Sequence, residues 1–318
     1  MLGLLDGRVL LAGGFGGVGG VSRSNAVLFD GQSNAWSPAA SMKVSRANFT
    51  ATLLTGGDVL VAGGFGPDGH RTATSELYDP RTNQWLPEGA MVVGRVNHAA
   101  ALIGGSRVVV VGGRIPTGPI ANAEIYDPRT GRWSALPNMS TRREGPTATT
   151  LLDGRVLVTG GVISDGIYLN ATSSTEIYDP AANRWSAAAP MRVARAIHSA
   201  TRLKDGKVLV SGNGGGEPAS AELYDPATDS WTDASQMPEE RRAHDAVLTA
   251  SGNVVVLGGM AESATYLDSA DVYDPRANRW QAAGPMDSLK GEVRAALLPD
   301  GRLLVVDMSA RAAIYQPE

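Results

Sequence analysis

Six cations recur along this chain at one fixed place, four residues after a methionine: Arg46, Arg95, Arg143, Arg195, Arg241 and Lys290. A collar of guanidinium groups is suited to carboxylate recognition, because the planar fork donates two parallel hydrogen bonds. The plainer reading, favoured by the regularity, is that each pairs with a carbonyl or an acid of a neighbouring repeat. Three residues further on stand Phe49, His98, Pro146, His198, His244 and Val293, so His98, His198 and His244 are equivalent positions. Three neutral imidazoles suit zinc, copper or iron. His98 falls two repeats from His198, however, and structural hydrogen bonding is the preferred account. No cofactor is expected, and a metal ion at these histidines is the lesser alternative.

Other chemistry is narrowed by what the chain lacks. With no cysteine there is no disulfide, thiolate metal site or Cys nucleophile. The stretch Gly14-Phe15-Gly16-Gly17-Val18-Gly19 satisfies a dinucleotide pattern, yet no helix follows it and a repeat already explains its first glycines. Asp68, Asp165, Glu217, Glu262 and Asp268 lie on variable segments where they could act as general acid or base, with solvation as the plainer account. A net charge of −4 with dispersed Lys and Arg gives no footprint for nucleic acid or a membrane surface. No apolar run could span a bilayer and no signal peptide opens the chain, so a soluble protein of undetermined compartment is expected.

The elements that position these residues follow from a strict repeat. Trp36, Trp85, Trp133, Trp185, Trp231 and Trp280 each lie seven residues after the aromatic of a Tyr-Asp-Pro box (Phe29, Tyr78, Tyr126, Tyr178, Tyr224, Tyr273) and six before a Met. Twenty-one residues after each Met comes a doublet, usually Gly-Gly, degenerating to Gly212-Asn213 and Asp307-Met308. Short β-branched runs such as Arg-Val-Leu-Val-Thr at 155–159 end at the doublet and read as buried strands. Asp6-Gly7, Asp153-Gly154, Asp205-Gly206 and Asp300-Gly301 read as two-residue hairpins. Each module is thus a four-stranded antiparallel meander: strand A carries the His position, B ends at the doublet, C ends at Tyr-Asp-Pro and D starts at Trp.

These residues resemble the kelch family, including the kelch-like domain of galactose oxidases. The resemblance covers essentially the whole chain and implies a single all-β domain over 1–318, a kelch-type β-propeller with strand A nearest the axis. Strands B and C occur seven times and the Trp strand six, which favours seven blades with both terminal blades incomplete. Residues upstream of Met1 would then supply the missing outer strand. The alternative is a six-bladed ring in which 293–298 completes the first blade. The copper radical centre of the oxidases needs a Cys cross-linked to Tyr and is disfavoured here. In kelch adaptor proteins the equivalent arginines contribute to a pocket for acidic peptides, and the resemblance implies that Arg95, Arg143, Arg195 and Arg241 are candidate anchors for an acidic ligand.

All length variation falls between the doublet and the Tyr-Asp-Pro aromatic, with spacings of 16, 15, 14, 18, 12, 15 and 8 residues. This is the B-to-C loop, and loops on a rigid scaffold carry function. The longest, 162–175, holds Ile163, Ile167, Tyr168 and Leu169, and a second apolar loop holds Met260, Tyr266 and Leu267. Folding over its own blade is the bland reading of the longest loop. The sharper one makes Tyr168 and Tyr266 ligand contacts beside the arginines. The expected function is a scaffold that binds a protein, a peptide or a small acidic ligand on this face. The rival is an enzyme of bacterial specialised metabolism or sugar processing, metal-assisted or acid/base, with its active site in the same pocket.

Overall fold

The computed structural model describes residues 1–16, 20–164, 170–212, 219–286 and 289–317. Six four-stranded antiparallel sheets and a seventh of three strands follow one another along the chain. The fourth is typical: Thr147–Thr150, Val156–Thr159, Thr175–Asp179 and Arg184–Ala188 as strands A to D. The seventh runs Val293–Leu297, Leu303–Asp307 and Ala312–Tyr315, and its strand D is absent among the described residues. Because Val293–Leu297 is the inner strand of a blade of its own, the ring is a seven-bladed propeller and the six-bladed reading falls. Inner strands touch in sequence around the axis, and Leu2–Gly3 of the first blade closes against the seventh. No helix among the described residues is long and apolar enough to cross a membrane.

The core lies between blades. Strand B residues are buried on both faces, which is why they read as unbroken apolar runs rather than alternating ones. In the third blade Val108 and Val110 pack with Leu60 of the second, whereas Val109 and Val111 pack with Val156 and Val158 of the fourth. Burying one such side chain is worth about 1.5–3 kcal/mol.

The tryptophans act at the periphery. Each ring lies tilted on the box aromatic opposite it, as in Tyr178 and Trp185 with centroids 5.1 Å apart. In three of them the indole N–H reaches back to a carbonyl of the preceding blade: Trp85 to Ala40 O at 2.7 Å, Trp185 to Pro137 O at 2.8 Å, Trp231 to Ala189 O at 2.7 Å. Trp36 follows the three-stranded blade and is 41% exposed, against 2% for Trp85.

The doublet works by close approach. Gly160 sits at φ 60°, where a Cβ would stand 2.5 Å from Arg195 O and 2.6 Å from His198 Cε1. The second glycine, Gly161, donates its N–H to the same Arg195 carbonyl at 2.8 Å, joining the fourth blade to the fifth. Only glycine fits between these groups.

Candidate functional site

The arginine collar lies inside the blades. Arg143 donates from Nη1 to the carbonyls of Gly160 and Ser174, both at 2.8 Å, and from Nη2 to Ser174 Oγ at 2.8 Å and Glu176 Oε1 at 3.1 Å. Arg46, Arg95, Arg195 and Arg241 repeat the pattern with Glu76, Glu124, Glu222 and Asp271. All five guanidinium groups are shut off from water. Burial lowers the proton affinity of Arg46, Arg95 and Arg143, and the adjacent glutamate partly offsets it. The four glutamates also cap the D-to-A loop; Glu176 accepts the N–H groups of Ser140 at 2.7 Å and Thr141 at 3.2 Å.

The sixth blade shows how the clamp adapts. Pro238 follows Met237 and has no N–H to offer, and the acid there is the shorter Asp271, 2.6 Å from Arg241 Nη2. Burial raises the Asp271 carboxyl. The expectation that Arg95, Arg143, Arg195 and Arg241 anchor a ligand is therefore corrected, because a ligand on the loop face cannot reach groups already enclosed by their own blade. The signal that sequence reasoning missed is an acid two residues before the box tyrosine in these five blades, replaced by Val27 in the first and by Ala313 in the seventh, where Lys290 stands in place of the arginine.

The histidines occupy the seams between blades. Nε2 of His98 meets Thr50 Oγ1 at 3.0 Å, that of His198 meets Thr159 Oγ1 at 2.9 Å, and that of His244 meets Ser199 Oγ at 2.9 Å. Each hydroxyl belongs to the preceding blade. Where the next blade carries Pro146 instead, the corresponding pair is Ala99 opposite Val111. Burial holds all three imidazoles neutral, with pKa values lowered to about 3, and the neighbouring arginine contributes to the shift.

What the loop face presents is different. Two residues after each arginine the backbone turns left-handed, at Asn48, Asn97, Gly145, Ile197 and Ala243, with φ between 52° and 61°. These residues bond to one another around the channel mouth: Asn97 N to Asn48 O at 3.3 Å, Gly145 N to Asn97 O at 2.8 Å, Ala243 N to Ile197 O at 3.1 Å. Glu144 lies beside this ring, held by Asn97 Nδ2 and Arg114 Nη1, each at 2.8 Å.

Outside the ring stand the B-to-C loops. In the first, Phe15–Gly16 pairs with Val21–Ser22 as a small ribbon. Phe15 is 45% exposed and lies 5.9 Å from Phe65 of the next loop, and the Arg71 guanidinium covers Phe65 at 5.5 Å. Tyr266 is 54% exposed and packs beside Gly291, where an added Cβ would meet Tyr266 Cδ1 at 2.9 Å. Leu267 in the same loop is buried. Tyr168, with Asp165, Ile167 and Leu169, lies outside the described residues, as does Glu217.

The profile of the KLHDC2/KLHL20/DRC7 Kelch-repeats domain matches residues 3–216, and that of the Kelch motif matches residues 241–287. The chain belongs to the kelch-repeat family. Among solved structures, the one described as "Structure of YjhT" is similar with a TM-score of 0.69 at 15% identity, covering 89% of this chain and 96% of that one. At that identity the likeness is one of fold alone. No curated protein matches the chain.

Proposed function

We propose that this kelch propeller is a docking module that holds a protein or peptide partner on its B-to-C loop face, with Tyr266, Phe15 and the Arg71–Phe65 pair as contacts. The observation that carries the reading is Tyr266: the box tyrosines from Tyr78 to Tyr273 are buried, yet this one is 54% exposed on a loop whose next residue, Leu267, is packed inside. An aromatic left half in water on a rigid support offers large contact area at little entropic cost, as interface hot spots do. Arg71 adds a cation already oriented by an aromatic face. Tyr168 joins this set as the contact supplied by the longest loop.

The enzyme alternative draws less support. A general acid or base at neutral pH needs a proton affinity tuned toward 7 and access to substrate. The strongly shifted histidines sit in the seams, and Glu144 is locked between Arg114 and Asn97.

Affinity capture from an extract of the source organism, with the wild type beside a Phe15→Ser/Tyr266→Ser double variant, tests the proposal. Partners lost by the double variant but kept by Leu152→Ser, a change on the opposite face, are the expected result. Equal capture by all three proteins would remove the loop face from the function.

A further inference from the structure

We propose that the face opposite the loops carries an oxyanion site at the A-to-B turn of the third blade, with Arg107 as its anchor. In five blades a cation stands two residues after the first turn position: Arg8, Arg107, Arg155, Lys207 and Arg302. Three of them hold the aspartate of their own turn from Nε, Arg8 to Asp6 at 2.9 Å, Arg155 to Asp153 at 2.7 Å and Arg302 to Asp300 at 2.7 Å. Lys207 Nζ lies 3.5 Å from Asp225. Arg107 departs from this pattern, since Gly105 stands where the aspartate would be. Its Nε reaches only the Gly104 carbonyl, at 3.3 Å, and it has no carboxylate partner among the described residues. Arg8 and Arg302 also donate to a carbonyl of the next blade, Pro80 O at 3.2 Å and Gly31 O at 2.8 Å, and Arg107 makes no such bond among the described residues.

The space left by the missing carboxylate is open. Gly104, Gly105, Arg107 and Arg129 line a depression of about 390 Å³. A Cβ added to Gly104 or Gly105 would meet nothing within 4 Å. Gly105 and Ser106 take φ values of 74° and 64°, so the turn follows a different path from the Asp-Gly turns. Arg129 borders the site from the C-to-D turn with its charge already balanced by Asp127, 3.2 Å away. Asp127 is held by Arg129 and feels the Arg107 charge only at a distance, so Arg107 has no carboxylate in direct contact among the described residues.

The chemistry that fits is a carboxylate or phosphate whose oxygens take the place of the absent aspartate on the Arg107 fork. Such a group can arrive as a free oxyanion or on a side chain of a second partner, which would give the propeller two working faces. Solvent access keeps the affinity modest.

Titration of the ¹⁵N-labelled protein with inorganic phosphate, and separately with N-acetylglutamate amide, tests the site by NMR. Saturable shifts at Gly104, Gly105 and the Arg107 Nε–H are expected with at least one probe. Arg107→Gln should weaken the response by about tenfold, the scale of one charge-assisted hydrogen bond. Gly105→Asp introduces a carboxylate beside Arg107 and should abolish the response, while Gly105→Asn, which tolerates the same left-handed backbone without the charge, keeps it. A response to phosphate alone assigns the site to phosphate groups; a response to the glutamate probe assigns it to acidic side chains. Absence of saturable shifts in the wild type, or shifts that survive Arg107→Gln unchanged, would overturn the proposal.

Discussion

Arg143 and Glu176 meet 3.1 Å apart inside the fourth blade, with neither side chain reaching water. The pair joins strand C to the loop entering strand A and, through the Arg143 carbonyl and Gly113 N–H at 2.8 Å, to the third blade as well. Removing one partner leaves a buried charge uncompensated, for which a loss of about 3–5 kcal/mol is expected. Arg143→Met and Glu176→Gln should each destabilise strongly, and the double variant by much less than their sum. A denaturant-based double-mutant cycle measures this. Single variants within about 1 kcal/mol of wild type, the worth of an exposed pair, would contradict the clamp.

How much of this was legible in the sequence differs by element. The invariant steps from Tyr178 to Trp185 to Met191 to Arg195 fix blade order and strand identity because they cross, in turn, the C-to-D hairpin, strand D and the start of the D-to-A connection, each of constant length. The role of Arg195 was less open to reading, since its carboxylate, on Glu222, lies 27 residues away across a loop of variable length. A regular cation looks like a collar until the equally regular acid is set beside it. The histidine partners lie further off still: Ser199 is 45 residues from His244, in the preceding blade. Tyr266 was legible as an aromatic on a variable loop, but its exposure depends on how that loop rests on Gly291, which no local pattern encodes.

The first glycine of the doublet gives a sharper test of packing. Gly160→Ala must shift a backbone carbonyl, Arg195 O, that would stand 2.5 Å from the new Cβ, and must hold alanine at φ 60°. Gly14, at φ 95°, has nothing within 4 Å of its Cβ position. Left-handed strain alone costs about 1–2 kcal/mol. Gly14→Ala should stay near that figure, and Gly160→Ala should exceed it clearly in thermal or chemical unfolding.

Acid sensitivity should originate in the blade seams. His98, His198 and His244 have folded pKa values of about 3, well below the ordinary 6.5, so below pH 6.5 the unfolded chain takes up protons that the folded one refuses. The stability associated with neutral histidines is complete above pH 6.5 and declines toward pH 3, by up to about 1.4 kcal/mol per pH unit for each residue. Urea unfolding between pH 7 and pH 4.5 should show this slope. His198→Gln should flatten it, and a slope unchanged by that substitution would place the acid sensitivity elsewhere.

Ile197 carries a penalty that the repeat itself shows how to relieve. A β-branched residue at φ 54° is an outlier, while Asn48 and Asn97 hold the same conformation in the second and third blades with a residue type that tolerates it. Ile197 is 45% exposed, so replacing it gives up only part of the burial of a core isoleucine. Its carbonyl still accepts from Ala243 N at 3.1 Å whatever the side chain. Ile197→Asn should therefore stabilise the protein by about 0.5–1 kcal/mol, part of the 1–2 kcal/mol that left-handed backbone costs an ordinary residue. A rise in the unfolding midpoint at unchanged m-value is the expected readout. A fall instead would show that Ile197 makes contacts at the channel mouth worth more than its backbone strain.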